Sequence, residues 1–381
     1  MNIVVAIDSF KGSLSSLEAG RAVEQGVLRA DPGARVAVRP LADGGEGTVQ
    51  ALVAGLGGEL HHARVTGPMG APVDCAYGIL PDGRTAVVEM SGAAGITLVD
   101  PARMNPLRAT SYGVGEVIRE AIGQGCRRFV VGLGGSVTND GGAGMLQALG
   151  YGFLDAGGRP VASGAAGLKD LCTITTDGVL PELADCEFKV ACDVTNPLCG
   201  PRGCSAVYGP QKGATPAMIE EMDRWLARYA ALAGQVFPGR ADPERPGAGA
   251  AGGMGFAFLT FTRGVLQSGI DIVLAETRLA DYLRDADLVI TGEGRLDGQS
   301  AMGKAPVGVA RLAKQYGKPV IAFAGSVTPD AAACNGQGID AFFPILRSIC
   351  TLEEAMRPDL ARANLAAAAE QALRLWHAAR R

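Results

Sequence analysis

Asn2-Ile3-Val4-Val5-Ala6-Ile7-Asp8-Ser9-Phe10-Lys11-Gly12-Ser13-Leu14-Ser15-Ser16-Leu17-Glu18, with the residues that follow to Pro40, decides the fold. Ile3 to Ile7 is a short β-branched run, the pattern of a strand buried on both faces. Ser15-Ser16-Leu17-Glu18 is a capping box, after which Ala19, Val23 and Val27 recur every four residues while Glu18, Arg21 and Arg29 point elsewhere. Asp31-Pro32-Gly33 ends that helix. Arg35 to Pro40 makes a second strand, and Asp43-Gly44-Gly45-Glu46-Gly47 opens a second helix. Strand, loop, helix and strand in this order are the βαβ rhythm of a parallel sheet.

Beyond residue 58 the texture changes. Three alternating runs between Glu59 and Met90, split by Gly67-Pro68-Met69-Gly70 and Pro81-Asp82-Gly83, predict an antiparallel meander. Strands are expected at Phe129–Val131 and Phe188–Ala191, each before a loop. Thr215-Pro216 caps a helix whose Met218, Met222, Trp225 or Leu226, and Tyr229 share a face, with Gly234 closing it. Pro238 to Gly255 reads as a loop or hinge. The βαβ rhythm then returns: a strand at Asp287–Ile290, a glycine loop, a helix near Val307–Tyr316, strands at Val320–Phe323 and Ala341–Ile345, and a helix through Leu365–Trp376. Parallel rhythm at both ends predicts an α/β protein of two domains. A Rossmann-like parallel-sheet domain is built from residues 1–58 plus 285–381. A second α/β domain, residues 59–284 and containing the meander, is inserted into it.

Composition narrows the function. The 381 residues exceed one ordinary core. The net charge of −4 and the absence of a Lys/Arg stripe argue against a nucleic-acid partner. No apolar run is long enough to span a bilayer, and the N-terminus lacks the basic start of a signal peptide, so a cytoplasmic location without membrane partners is expected. Nine scattered cysteines suit a reducing compartment, and the spacing of Cys192, Cys199 and Cys204 fits no common zinc pattern. The histidines are His61, His62 and His377, none in a glycine loop, so proton chemistry falls to Asp, Glu or Lys.

Fifty-five glycines concentrate in loops that carry charge. Asp8-Ser9-Phe10-Lys11-Gly12-Ser13 follows the first strand, where open parallel sheets bind ligands, and its acid and lysine suit a magnesium-phosphate group; the plainer alternative is a surface ion pair. In Asp43-Gly44-Gly45-Glu46-Gly47-Thr48 backbone amides can approach an anion, while Asp43 and Glu46 serve equally as helix-start residues. Gly132 to Gly142 has a phosphate-cradle context without being a Walker A or a dinucleotide fingerprint. Gly298 to Lys304 has P-loop spacing, but Ala305 replaces the magnesium-binding hydroxyl and the expected strand ends six residues early, so a P-loop is rejected. Gly247 to Gly252 matches a dinucleotide pattern letter for letter but follows Arg245-Pro246 and no strand. Asp193, after a buried strand, is placed for general-base or magnesium work, with an Asx-turn before Pro197 as the alternative.

Together these loops, with Cys192-Asp193-Val194-Thr195-Asn196-Pro197-Leu198 and Gly209-Pro210-Gln211-Lys212-Gly213, resemble the type 1 glycerate kinase family along the whole chain. The departure from it is Ser300, where relatives often have Thr. The resemblance implies phosphorylation of D-glycerate to 2-phosphoglycerate by ATP and Mg2+, in a cleft between two α/β domains. On that mechanism Gly134, Gly135, Ser136, Thr138, Asn139, Asp140 and Lys304 are candidates for the nucleotide phosphates. Lys11 and Lys304 offset transferring charge, and Arg295 pairs with the glycerate carboxylate, with Ser9 and Glu293 as further substrate contacts. Asp193 is the first candidate base and Asp297 the second; Asp8, Asp43 and Glu46 compete for magnesium. A glycerate 3-kinase, a kinase of a related hydroxy acid, an NAD-dependent hydroxy-acid dehydrogenase and a sugar-acid sensor remain as alternatives. Oligomeric state is open between monomer and dimer.

Overall fold

The computed structural model describes every residue except Asp43, Glu46 and Arg381. The opening run forms β1 (Asn2–Val5). The capping box forms as expected: the Ser15 hydroxyl accepts the Glu18 N–H at 3.3 Å while the Glu18 carboxylate accepts the Ser15 N–H at 3.0 Å. The helix Ser16–Ala30 starts there and ends at Asp31. β2 (Arg35–Val38) and the helix Thr48–Leu56 follow. The meander is β3 (Glu59–Thr66), β4 (Pro72–Ile79) and β5 (Thr85–Glu89), with both neighbouring pairs antiparallel. Then come β6 (Arg128–Gly132), the hairpin β7 (Gly152–Leu154) and β8 (Thr173–Thr175), β9 (Glu187–Ala191) and β10 (Val265–Gln267). The last strands are β11 (Leu288–Leu296), β12 (Val320–Val327) and β13 (Ala341–Pro344), before the helix Pro358–Ala378.

The chain divides into two compact units. One comprises Met1–Asp43, Gln50–Gly57 and Ile270–Arg381; the other comprises Gly44–Val49 and Gly58–Gly269. The first holds a parallel sheet in the order β13-β12-β11-β1-β2. The chain winds outward from β1 in one direction and from β11 in the other, so the β1/β11 pair is the switch point, where the rule for doubly wound sheets places ligands. Ile3, Val5 and Ile7 pack with Val23 and Val27 of the first helix and Leu365 and Leu373 of the last. Each such apolar side chain, once buried, contributes about 1.5–3 kcal/mol.

The second unit holds a mixed sheet, β10-β9-β6-β5-β4-β3, parallel from β10 to β5 and antiparallel beyond. Phe129 of β6 stacks on Phe188 of β9 at 4.8 Å, and Tyr229 of the helix Pro216–Val236 is buried against Phe256 and Phe261. Among the described residues no helix is long and apolar enough to cross a membrane. All nine cysteines are free thiols.

Three expectations need correcting. β11 does not stop at Ile290: its ladder with β12 continues through Glu293 to Leu296, because β12 runs equally far beside it. The loop or hinge read at Pro238–Gly255 gives way only at its end: Ala251, Gly252 and Gly253 are left-handed, and right-handed helix follows from Met254. The helix after Thr215 passes Gly234 and ends at Val236, the Phe237 N–H still donating to the Ala233 carbonyl at 2.8 Å.

Candidate functional site

In the first unit, β1's chain stays paired with β11 past the strand's own end at Val5: the Asp8 N–H donates to the Gly292 carbonyl at 2.9 Å. Asp8 is thereby carried, largely buried, to the carboxyl edge of the sheet, where its carboxylate accepts the Ser9 N–H at 2.7 Å. A Cβ at Gly294 would stand 3.4 Å from the Phe10 Cα, so the Asp8–Lys11 loop lies directly against β11. Lys11 is exposed.

Glu293, buried on β11, accepts the Ser300 hydroxyl, whose oxygen in turn accepts the Asp297 N–H at 3.1 Å. Asp297 Oδ1 accepts the N–H groups of Gln299 and Ser300 at 2.9 and 3.2 Å, and its Oδ2 lies 3.4 Å from Arg295 Nε. Asp297 therefore organises its own turn. Lys304 Nζ donates to Gln299 Oε1 at 3.2 Å, and Lys304 is the N-cap of the helix Ala305–Gln315. Asp8, Ser9, Lys11, Glu293, Arg295, Asp297 and Lys304 thus share the edge that the switch point selects. With β11 reaching Leu296, the strand-end objection to a P-loop falls. The missing hydroxyl at Ala305 and the 3-10 turn Ser300–Met302 within the loop still stand against one.

In the second unit the loops after β6 and β9 meet the segment that begins at Gly44. Gly44 has φ +84°, and a Cβ there would come within 2.5 Å of the Ala191 Cβ and 3.1 Å of the Gly269 Cα, so this contact requires glycine. The Gly134 position likewise lies against the Gly45 Cα. Asp193, exposed just past β9, accepts the Gly269 N–H at 3.1 Å, a partner distant in sequence. The expected Asp43 and Glu46 lie outside the described residues.

The Gly132–Gly142 loop splits into two parts. Gly134 and Gly135 reach the surface and Ser136 is nearly buried, whereas Thr138, Asn139 and Asp140 are wholly buried and offer a ligand no surface. Asp140 accepts the Ser111 N–H and hydroxyl, both at 2.8 Å, and the Gly142 and Gly144 N–H groups at 3.1 and 3.3 Å. Burial raises its carboxyl above the usual range, and those donors oppose the rise. Asn139 donates to the Ser205 hydroxyl at 2.8 Å.

Two charged residues here were not singled out from sequence. Glu89 ends β5 as a buried carboxylate that accepts the Val49 N–H at 2.7 Å and the Ser91 hydroxyl at 3.1 Å. The readable signal was an acid closing the otherwise uncharged strand Thr85-Ala86-Val87-Val88. Lys212 is buried beneath the Gly132–Gly142 loop; a lone lysine in Gly-Pro-Gln-Lys-Gly carries no local sign of that. Among the described residues no three His, Cys, Asp or Glu side chains converge as a metal cluster.

A family model described as the glycerate kinase family matches residues 3–377. The chain is 49% identical over 358 residues to the glycerate 2-kinase of Escherichia coli K12, covering 94% of this chain and 93% of that protein. It is 48% identical to the glycerate kinase of Bacillus subtilis 168, covering 93% of each. A crystal structure from Salmonella typhimurium LT2, described provisionally as a glycerate kinase 2, superposes with a TM-score of 0.92 at 48% identity, covering 100% of this chain and 99% of that one.

Proposed function

The chain belongs to the glycerate kinase family, and from that premise we propose that it transfers the terminal phosphoryl group of ATP to the 2-hydroxyl of D-glycerate. The glycerate oxygen attacks the γ-phosphorus, the bond from that phosphorus to the ADP oxygen breaks, and the hydroxyl proton passes to a carboxylate. Asp193 is the base: it stands exposed at a strand's carboxyl end, anchored by the Gly269 N–H. Asp297, engaged by two amides and Arg295, is the weaker choice.

Gly134, Gly135 and Ser136 face the nucleotide phosphates, with Thr138, Asn139 and Asp140 bracing them from below. Lys11 and Lys304 offset charge on the transferring group, and Arg295, exposed on the same strand as Glu293, takes the glycerate carboxylate. Mg2+ ordinarily takes one or two carboxylates and completes its shell with phosphate oxygens and water, so the hard oxygens of Asp8 fit it without a three-residue cluster. When bound, the ion would neutralise charge on the phosphates.

The observation that carries the proposal is the gathering of Asp8, Lys11, Arg295 and Lys304 at the switch-point edge of one parallel sheet. The 2-position follows the name of the E. coli relative. Phosphorus NMR of ATP, Mg2+ and D-glycerate with the protein is expected to show 2-phosphoglycerate growing in. The 3-phosphate in its place would move the assignment to a 3-kinase, and unconsumed ATP would sink the proposal.

A further inference from the structure

Lys212 has no part in the transfer scheme above, yet its ammonium is bonded to the buried side of the glycine loop. It is 2% exposed and sits in the short turn Pro210–Lys212. Its Nζ donates to the Ser136 hydroxyl at 2.9 Å and to the Thr138 carbonyl at 2.6 Å. Neither acceptor is a carboxylate. The titratable groups facing it are Asp140 and Cys204. Asp140 is occupied by its four donors from Ser111, Gly142 and Gly144, and the Cys204 thiol lies 3.2 Å from the Leu198 carbonyl. Burying an ammonium without an ion-pair hydrogen bond is costly, so the position asks for a role.

A serine hydroxyl has one proton and two lone pairs. Because Nζ donates into Ser136 Oγ, the serine's own proton must point away from Lys212. We propose that Lys212 is a positioning residue that fixes Ser136 as a hydrogen-bond donor toward the nucleotide's phosphate oxygens, while its bond to Thr138 holds the loop backbone in one orientation. This rests on the assignment of the Gly134–Ser136 segment to the phosphates. If Lys212 gives its proton to solvent, Nζ keeps two N–H groups and gains a lone pair that can accept the Ser136 O–H, so the serine is no longer held as a donor toward the phosphate. Burial pushes the ammonium down to about 8, with Cys204 and Asp140 pulling it back up, so the reversal falls where the enzyme can be assayed.

The test is KM for ATP and for D-glycerate from about pH 7 to about 9.5, in the native protein, Ser136→Ala and Lys212→Arg, with folding checked by circular dichroism. In the native protein the ATP KM should rise about tenfold through the window, the equivalent of one charge-assisted hydrogen bond, with the glycerate KM unchanged. Ser136→Ala should start near the raised ATP KM and stay flat. Lys212→Arg, which keeps its charge throughout, should lose the rise. A flat native profile with a raised ATP KM in Ser136→Ala overturns the role of Lys212 and leaves the phosphate loop standing. A native-like ATP KM in Ser136→Ala overturns the loop assignment and the proposal with it. The native profile and Ser136→Ala decide the matter even where Lys212→Arg does not fold.

Discussion

Asp193 leaves β9 for solvent with its carboxylate steadied by the Gly269 amide. Asparagine keeps the shape and an oxygen that accepts that amide, but it cannot take a proton. Asp193→Asn should therefore lower kcat by about 10²- to 10⁴-fold while the melting temperature stays put. Turnover near the native value would remove Asp193 as the base. Its position was legible because an acid after a buried strand is a local pattern, as it was for Asp8 and Lys11. The burial of Thr138, Asn139 and Asp140 was not. A polar run in a glycine loop looks solvent-facing, and here its partners are Ser111, Ser205 and Lys212, between 29 and 74 residues away. No window of sequence contains both members of such a pair.

At the level of elements, signals that act over one turn were transparent. The Ser15/Glu18 box starts its helix, and the two Gly/Pro turns separate the meander strands. The length of β11 depends on β12 beside it, and so went unread. The dinucleotide-like run Gly247–Gly252 has a different use: its end enters the left-handed turn of Ala250–Ala257, where the Gly252 carbonyl accepts the Gly141 N–H at 2.9 Å. Gly252 has φ +69°, and a Cβ there would fall 2.1 Å from the Thr138 carbonyl oxygen, the same oxygen that Lys212 holds. Gly252→Ala combines left-handed strain with that clash. It should cost at least about 2 kcal/mol in urea unfolding and raise the ATP KM by displacing the loop. An unchanged unfolding midpoint would contradict the close approach.

Across the whole molecule, Cys172 and Cys350 are exposed and the other seven cysteines are buried or half-buried. Burial pushes the Cys75 thiol up to about 12 and those of Cys186 and Cys204 up to about 11, which keeps them out of the reactive thiolate form. A chromogenic disulfide reagent at mildly alkaline pH should thus label two thiols fast and the remaining seven after denaturation. Fast labelling of four or more would mean that the folded chain opens in a way its packing does not predict.

The pairing of β1 with β11 aligns Ile3 with Leu288 and closes on the Asn2–Asp287 contacts. On the ribosome that alignment becomes a delay. At about 5–20 residues per second, β1 waits on the order of 15–60 s for its central neighbour to be made. Meanwhile Gly58–Gly269, a nearly unbroken stretch, finishes emerging with every strand of its sheet in hand. A strand made well before its central neighbour is thus completed late, and the apolar Ile3-Val4-Val5 edge is what a chaperone would meet throughout that interval.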